Sequence, residues 1–381
     1  MQKTKTENIV SEINSNIFFK EFTFSKNDFK ELNSNQKLEF ADNVVWLDEL
    51  FFIYQLKDRE SNNDNDLKWF ENKILKLAVK QIKKTLTYIS TYPEILIENE
   101  RKHILNIAEA KNIIPKKIIV YTPNINFPTN LRNKKFYKSS QIGLIHLFHS
   151  QDYRNICKYL VTPSEINQYL EFRERFYQFN PDISDSLTEQ YFLGHFLETP
   201  DADHYNPNYI DNLNAKVIDS TEFNISFLIE KFEKNLIQFN SNEYYHIIKE
   251  IAKLNRTELL QFRIRFDLTI KKAKESELTI PYRIYVSRND CSFIFIPLPM
   301  DKVEDRENII FFLTGDNKYD LKAKKGIGVL VHKDRIDDSN FELIWTFIDE
   351  EWEYDVEMEE IIKDNSLLRE VTFKKIDNPY K

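Results

Sequence analysis

Five glycines serve a chain of 381 residues: Gly143, Gly194, Gly315, Gly326 and Gly328. Average usage of about 7% would supply roughly 27. Glycine is the residue that lets backbone turn left-handed or lie close against a ligand. No G-x-G-x-x-G fingerprint and no Walker A loop can be assembled from these five. Phosphate binding by either glycine cradle is therefore excluded, and any chemistry falls to side chains. Turns fall to Asn, Asp and Pro, as in the polar stretch 61–66.

Hydrophobic residues make up 41% of the chain and aromatics 14%, which is enough apolar mass for one large or two ordinary domains. The net charge of −8 removes any global field that would draw in nucleic acid, though a local basic groove stays compatible with it. Cys157 and Cys291 stand far apart, so no disulfide framework or cysteine-rich zinc site is expected; a reducing, cytoplasmic setting fits. Residues 1–14 are polar and read as a flexible lead-in without a signal peptide. No stretch reaches 18 uncharged apolar residues, so no membrane partner is expected.

The patterning is that of an α+β protein. Residues 17–24 alternate loosely, as a strand would, and 28–39 read as a short helix or loop. Val44-Val45-Trp46-Leu47 and the run from Leu50 to Lys57 flank Asp48-Glu49, which predicts an antiparallel hairpin whose second strand is buried on both faces. Apolar residues at Phe70, Ile74, Leu77, Ala78, Ile82 and Leu86 keep one helical face over 67–92, and Pro93 ends it. Strands are predicted at 94–98, 117–121 and 142–148, with a basic loop at 124–140. Thr162-Pro163-Ser164-Glu165 opens a helix that runs to about 179. Residues 220–276 are helical in pattern, broken near 240–242. Two further hairpins follow, 282–286 with 292–297 and 326–332 with 341–348. These shifts divide the chain into 15–180, a helical 181–280 and an α+β 281–381.

The hairpin carries the chemistry. With its turn at 48–49, position 42 pairs near 55, and Gln55 and Lys57 share a face by the two-residue period. Asp42, Gln55 and Lys57 therefore converge. A carboxylate with a second oxygen ligand suits a hard divalent cation. Such a cation polarises a phosphate and acidifies a bound water. A lysine beside it orients that water or stabilises charge building on phosphorus.

The arrangement Asp42…Gln55-Leu56-Lys57 resembles the PD-(D/E)XK nuclease superfamily in its QXK variant, over roughly residues 17–150. The resemblance implies a restriction-endonuclease-like core, a central mixed sheet flanked by helices. It implies a metal-dependent nuclease that hydrolyses DNA with Mg²⁺ or Mn²⁺, of the kind found among restriction and anti-phage effectors. Asp42 would be the metal ligand, Gln55 would take the second acidic position and Lys57 would be the catalytic lysine. Lys80 and Gln81 match the family's habit of a Lys/Gln-bearing helix facing the site, and Glu39 is a further supporting carboxylate. Ala41 stands where the family name has proline. Gln55 weakens the metal site by one charge, which keeps a second reading open: a catalytically inactive nuclease fold that binds nucleic acid or a protein partner, including a second copy of itself.

Other signals are weaker. Arg132, Lys134, Lys135 and Lys138, interleaved with Phe136 and Tyr137, suit phosphate contact and base stacking, or a solvated loop. Asp48 is a rival for Asp42, but a turn Asp is more often structural. His146 and His149, three apart on a strand, face opposite ways and make a poor metal pair. His103 suits a turn. The acidic run from Asp349 to Glu360 reads as a solvated face, and Trp345, Phe347, Trp352 and Tyr354 as core.

Overall fold

The hairpin sets the register of everything around the site. In the computed structural model, β4 (Asn43–Leu47) pairs antiparallel with β5 (Leu50–Asp58), from Leu47 opposite Leu50 to Asn43 opposite Tyr54. Asp48 makes the turn with φ of +53°, the left-handed conformation that Asp tolerates. The structure describes residues 4–25, 27–30, 36–59, 65–215, 223, 225, 229, 241–275, 279–334, 340–364, 367–372 and 379–380. Most of the 61–66 stretch and the expected break at residue 240 lie outside them. The fold is mixed α+β, in two compact units: residues 1–218 with 380–381, and residues 219–379. The boundary falls at 218/219. The helices between 181 and 215 go with the first unit and those of 241–275 with the second.

The first unit begins with a helix, α1 (Lys5–Ile17), where a flexible lead-in was expected. Thr4 caps it by accepting from Glu7 N–H, and Glu7 returns the bond to Thr4 N–H at 2.8 Å, a reciprocal capping box. Then come β1 (Thr23–Phe24), β2 (Asp28–Lys30) and β3 (Lys37–Glu39). The last two form a small antiparallel sheet in place of the expected helix or loop. After β5 runs the long helix, as α2 (Asp66–Trp69), a π-helical stretch (Phe70–Ala78) and α3 (Val79–Thr91). The short β6 (Leu96–Glu98) and β7 (Ile104–Asn106) form a hairpin with His103 at its turn. β8 (Lys116–Thr122), α4 (Thr129–Arg132), β9 (Phe136–Ser139) and β10 (Gly143–His149) follow, so the expected basic loop contains a helical turn and an edge strand. Helices α5 (Ser150–Tyr159), α6 (Pro163–Phe179), α7 (Pro181–Ser184), α8 (Glu189–Glu198) and α9 (Tyr209–Ala215) complete the unit.

The main sheet runs β1-β4-β5-β8-β10-β9, with β5, β8 and β10 parallel and antiparallel strands at both edges. Alternation assigns its two faces. Phe51 and Ile53 of β5, Ile119 and Tyr121 of β8, and Ile145 and Leu147 of β10 pack against the long helix through residues such as Ile74, Ala78, Ile82, Tyr88 and Ile89. The opposite face meets α1 and α5: Phe52 stacks edge-on with Phe18, and Tyr54 and Phe148 do so with Tyr153. Gln55 and Lys57 are in phase with Ile53, so they point toward the long helix at the carboxyl end of β5.

Among its described residues from 241 on, the second unit has α10 (Ser241–Ala252) and α11 (Arg256–Glu275) and then a four-stranded sheet of β11 (Tyr282–Val286), β12 (Cys291–Leu298), β13 (Lys325–Lys333) and β14 (Phe341–Asp349). Both expected hairpins are present. They are joined by a parallel β12–β13 pair through a crossover helix, α12 (Arg306–Asp320). Phe262 of α11 packs on Phe293, Phe295 and Trp345 on one face. Ile310 and Leu313 of α12 pack on Ile294, Ile296 and Leu330 on the other. The last helix among the described residues, α13 (Val356–Asp364), carries the end of the acidic run, with Glu357 and Glu360 exposed and Glu359 half-buried. Trp345 is core as expected, whereas Tyr354 is exposed.

Candidate active site at the rim of the hairpin

Asp42 sits one residue before β4, so the register places it opposite Gln55. The segment around it is pinned from several sides. Asn27 Nδ2 donates to Ala41 O at 2.9 Å and to Phe24 O at 3.0 Å. Phe40 N–H donates to Asn27 O at 2.8 Å, and Thr85 of α3 donates its hydroxyl to Phe40 O. Asn14 of α1 donates to Asn43 Oδ1 at 2.7 Å. Contacts to the Phe40 and Ala41 backbone and to the Asn43 side chain thus hold the residues on both sides of one carboxylate, the kind of support a preorganised site needs.

The three expected residues meet. Asp42 Oδ2 accepts from Leu56 N–H at 2.6 Å and from Lys57 Nζ at 3.0 Å. Lys57 Nζ also donates to Gln55 Oε1 at 3.2 Å and to Leu56 O at 2.9 Å. Gln55 is 2% exposed, and the Asp42 and Lys57 side chains are 7% and 12% exposed. Asp42 Oδ1 takes part in none of these bonds. Asp42 Oδ1 and Gln55 Oε1 are hard oxygen donors, the ligand type that suits Mg²⁺ or Mn²⁺, ions that need few protein ligands.

Glu39 ends β3, opposite Asp28. Partial burial and the negative charges of Asp42 and Asp28 push its carboxyl above the usual range, against the pull of Lys57. The charge of Glu7 adds to that push. A cation near Asp42 would relieve this crowding. Gln81 lies one turn before Thr85, and its Oε1 is buried without a hydrogen-bond partner. Lys80 is exposed. Glu7, Asn27 and Thr85 were missed at the sequence level. Only Glu7 announced itself, through the Thr4-x-x-Glu7 capping box.

The four basic residues of 132–138 do not act as one surface. Arg132 lies toward the same carboxyl-end rim as Lys57: its charge acts on Tyr121 and His149, which are in register with Lys57 across β5, β8 and β10. Its guanidinium is paired with Asp152 at 2.8 Å. Lys135 is 2% exposed, with Nζ on Asn133 O at 2.7 Å, so it is withdrawn from any ligand surface. Lys138 is exposed on β9 opposite Leu144, five residues from the end of β10, about 17 Å from the rim at strand spacing. Lys134 is half-buried. His146 is buried between Arg173 and Glu174, and His149 caps α5. Asp48 stands at the far end of the hairpin from Asp42.

No protein-family model, no curated protein and no solved structure matches this chain. Among the described residues, no helix is long and apolar enough to cross a membrane.

Proposed function

We propose that the protein is a metal-dependent nuclease acting on DNA. The observation that carries this reading is the convergence of Asp42, Gln55 and Lys57 at the end of a buried parallel strand, under a helix. Asp42 and Gln55 would hold the ion, with Glu39 a further carboxylate close enough to feel the charge of Asp42. A bound Mg²⁺ or Mn²⁺ supplies Lewis acidity toward a phosphate oxygen and a more acidic water. Lys57 places an ammonium where charge gathers on the phosphoryl group, a term that grows in a water-poor site. The Leu56 N–H bond holds one oxygen of Asp42 in place.

A second reading rests on the same trio. Lys57 balances the charge of Asp42 and donates to Gln55 Oε1, so the site is charge-neutral without a cation. A nuclease fold kept for binding nucleic acid or a protein partner would look like this too. Plasmid cleavage separates the two. The full chain is incubated with supercoiled DNA and Mg²⁺, Mn²⁺ or EDTA, beside Asp42→Ala and Lys57→Ala. Metal-dependent nicking that both variants lose supports the enzyme. Equal nicking by the variants rejects the site, and tight DNA binding without cleavage in any metal supports the second reading.

A further inference from the structure

One of the five glycines builds a second centre. In α8, a Cβ on Gly194 would stand 2.5 Å from Tyr209 O, so glycine alone lets the start of α9 lie directly on α8. That crossing brings the Tyr209 ring to 4.8 Å from the ring of His195, the next residue of α8. The connection between the helices is folded tightly. Asp201 N–H donates to Thr199 Oγ1 at 3.2 Å. Tyr191 Oη donates to Asn206 O at 2.7 Å and accepts from Asn206 N–H at 3.0 Å, tying the loop back to α8.

The fold gathers Asp201, Asp203 and His204 so that one ligand atom from each lies within 4.8 Å of the others; among the described residues no other three His, Cys, Asp or Glu side chains do so. His204 Nδ1 is 3.6 Å from Asp201 Oδ2 and 3.5 Å from Asp203 Oδ1. Those separations are long for hydrogen bonds. They match the edge of a tetrahedron around a metal with bonds of about 2.1 Å, which is about 3.4 Å. His204 Nε2 is 3.0 Å from Tyr209 Oη, so the ring is oriented through its other nitrogen, as metal-bound imidazoles usually are.

A separate observation points into the same place. His195 is fully buried, its ring centre 5.6 Å from that of His204, and neither of its nitrogens has a hydrogen-bond partner. Leaving such a group unsatisfied costs about 1–3 kcal/mol. We propose that His195, Asp201, Asp203 and His204 form a binding site for one divalent transition-metal ion, Zn²⁺ by its match of ligands and geometry. Two imidazoles and two carboxylates balance its charge. The ion would fasten the 199–208 loop to α8, a role independent of the Asp42 site.

Zn²⁺ titration calorimetry and Co²⁺ absorption spectra on the full chain test this. Wild type should take up one equivalent that Asp42→Asn retains. His204→Gln and the double variant Asp201→Asn/Asp203→Asn, all at exposed positions, should bind at least 100-fold more weakly with unchanged circular dichroism. X-ray absorption of the wild-type zinc complex should count two imidazoles, which tests His195 without mutating the core. No uptake by wild type, or equal uptake by the variants, overturns the site. A single imidazole removes His195 from it.

Discussion

Lys57 Nζ and Asp42 Oδ2 meet at 3.0 Å, 15 residues apart in sequence and brought together by the hairpin register. The pair is largely buried, so each charge depends on the other. Removing one partner of such a pair leaves the other in a poor dielectric. The same geometry makes the ammonium a competitor for any cation that Asp42 would hold.

Replacing Lys57 with methionine therefore separates binding from chemistry. Mg²⁺ or Mn²⁺ affinity should rise by about tenfold or more, because a positive charge leaves the site at short range. Cleavage should fall by about 10²–10³, the usual loss of one group that stabilises transition-state charge. Isothermal titration beside plasmid nicking reads both. A variant that binds cation no better and cleaves as well as wild type contradicts the placement of Lys57.

Gln55→Glu places a second carboxylate beside Asp42, at the position the proposed nuclease reading assigns to a metal ligand. A second buried negative charge beside Asp42 should lower the melting temperature in EDTA and raise it above wild type in millimolar Mg²⁺, since an ion that binds only the folded state stabilises it by mass action. Thermal unfolding with and without Mg²⁺ measures the crossover; parallel shifts in both conditions would show that Gln55 is not a ligand.

The hairpin and its trio were legible because a strand's period is two and its turn sits at two polar residues, which together fix the register. The helix after it was legible from one apolar face. Elements that bury polar residues were not. α1 buries Thr6, Ser11 and Asn14 alongside Val10 and Ile17, so its inner face looks like a surface. β2 and β3, at three residues each, are too short to show alternation. The basic loop misled because Arg132 meets Asp152, 20 residues on, and the burial of Lys135 depends on contacts far along the chain. The α12 crossover was hidden because 306–320 lies between two strand pairs that each read as closed.

His146 gives the first unit an acid sensitivity. Arg173 donates to its Nδ1 at 2.9 Å, so the neutral ring carries its proton on Nε2 and donates to Glu174 Oε1 at 2.9 Å. Burial, with the Arg173 charge, pulls its pKa down to about 4. With the folded value below the unfolded one near 6.5, stability is complete above about pH 6.5. It falls as the unfolded chain takes up its proton first, by up to about 1.4 kcal/mol per pH unit until about pH 4. Glu174 is also depressed, its hydrogen bond and charge interaction with His146 outweighing burial, so its contribution is lost at still lower pH. Hydrogen exchange of the β8 and β10 amides from pH 7 to 4 should show this loss, and His146→Gln should flatten it. An unchanged slope in the variant would assign the proton elsewhere.

The N-terminal helix should prove structural rather than dispensable. Asp58, at the end of β5, accepts from Thr6 N–H at 3.0 Å and from Thr6 Oγ1 at 2.7 Å, and Thr6 also meets the hydroxyl of Thr122 at 2.5 Å. Asn14 reaches Asn43, beside Asp42, and accepts from Tyr153 Oη at 2.7 Å. Thr6→Val keeps the shape but strips the hydroxyl from a half-buried carboxylate contact, at a cost of up to about 1.5–3 kcal/mol for a bond to a charged group. Deleting residues 4–18 removes the support of Asn43 and strips Phe18 from Phe52, so it should lower both the melting temperature and the cleavage rate. Thermal unfolding of the two variants beside wild type checks it. A truncated chain with native stability and native metal-dependent nicking would show that α1 neither holds the sheet nor positions Asp42.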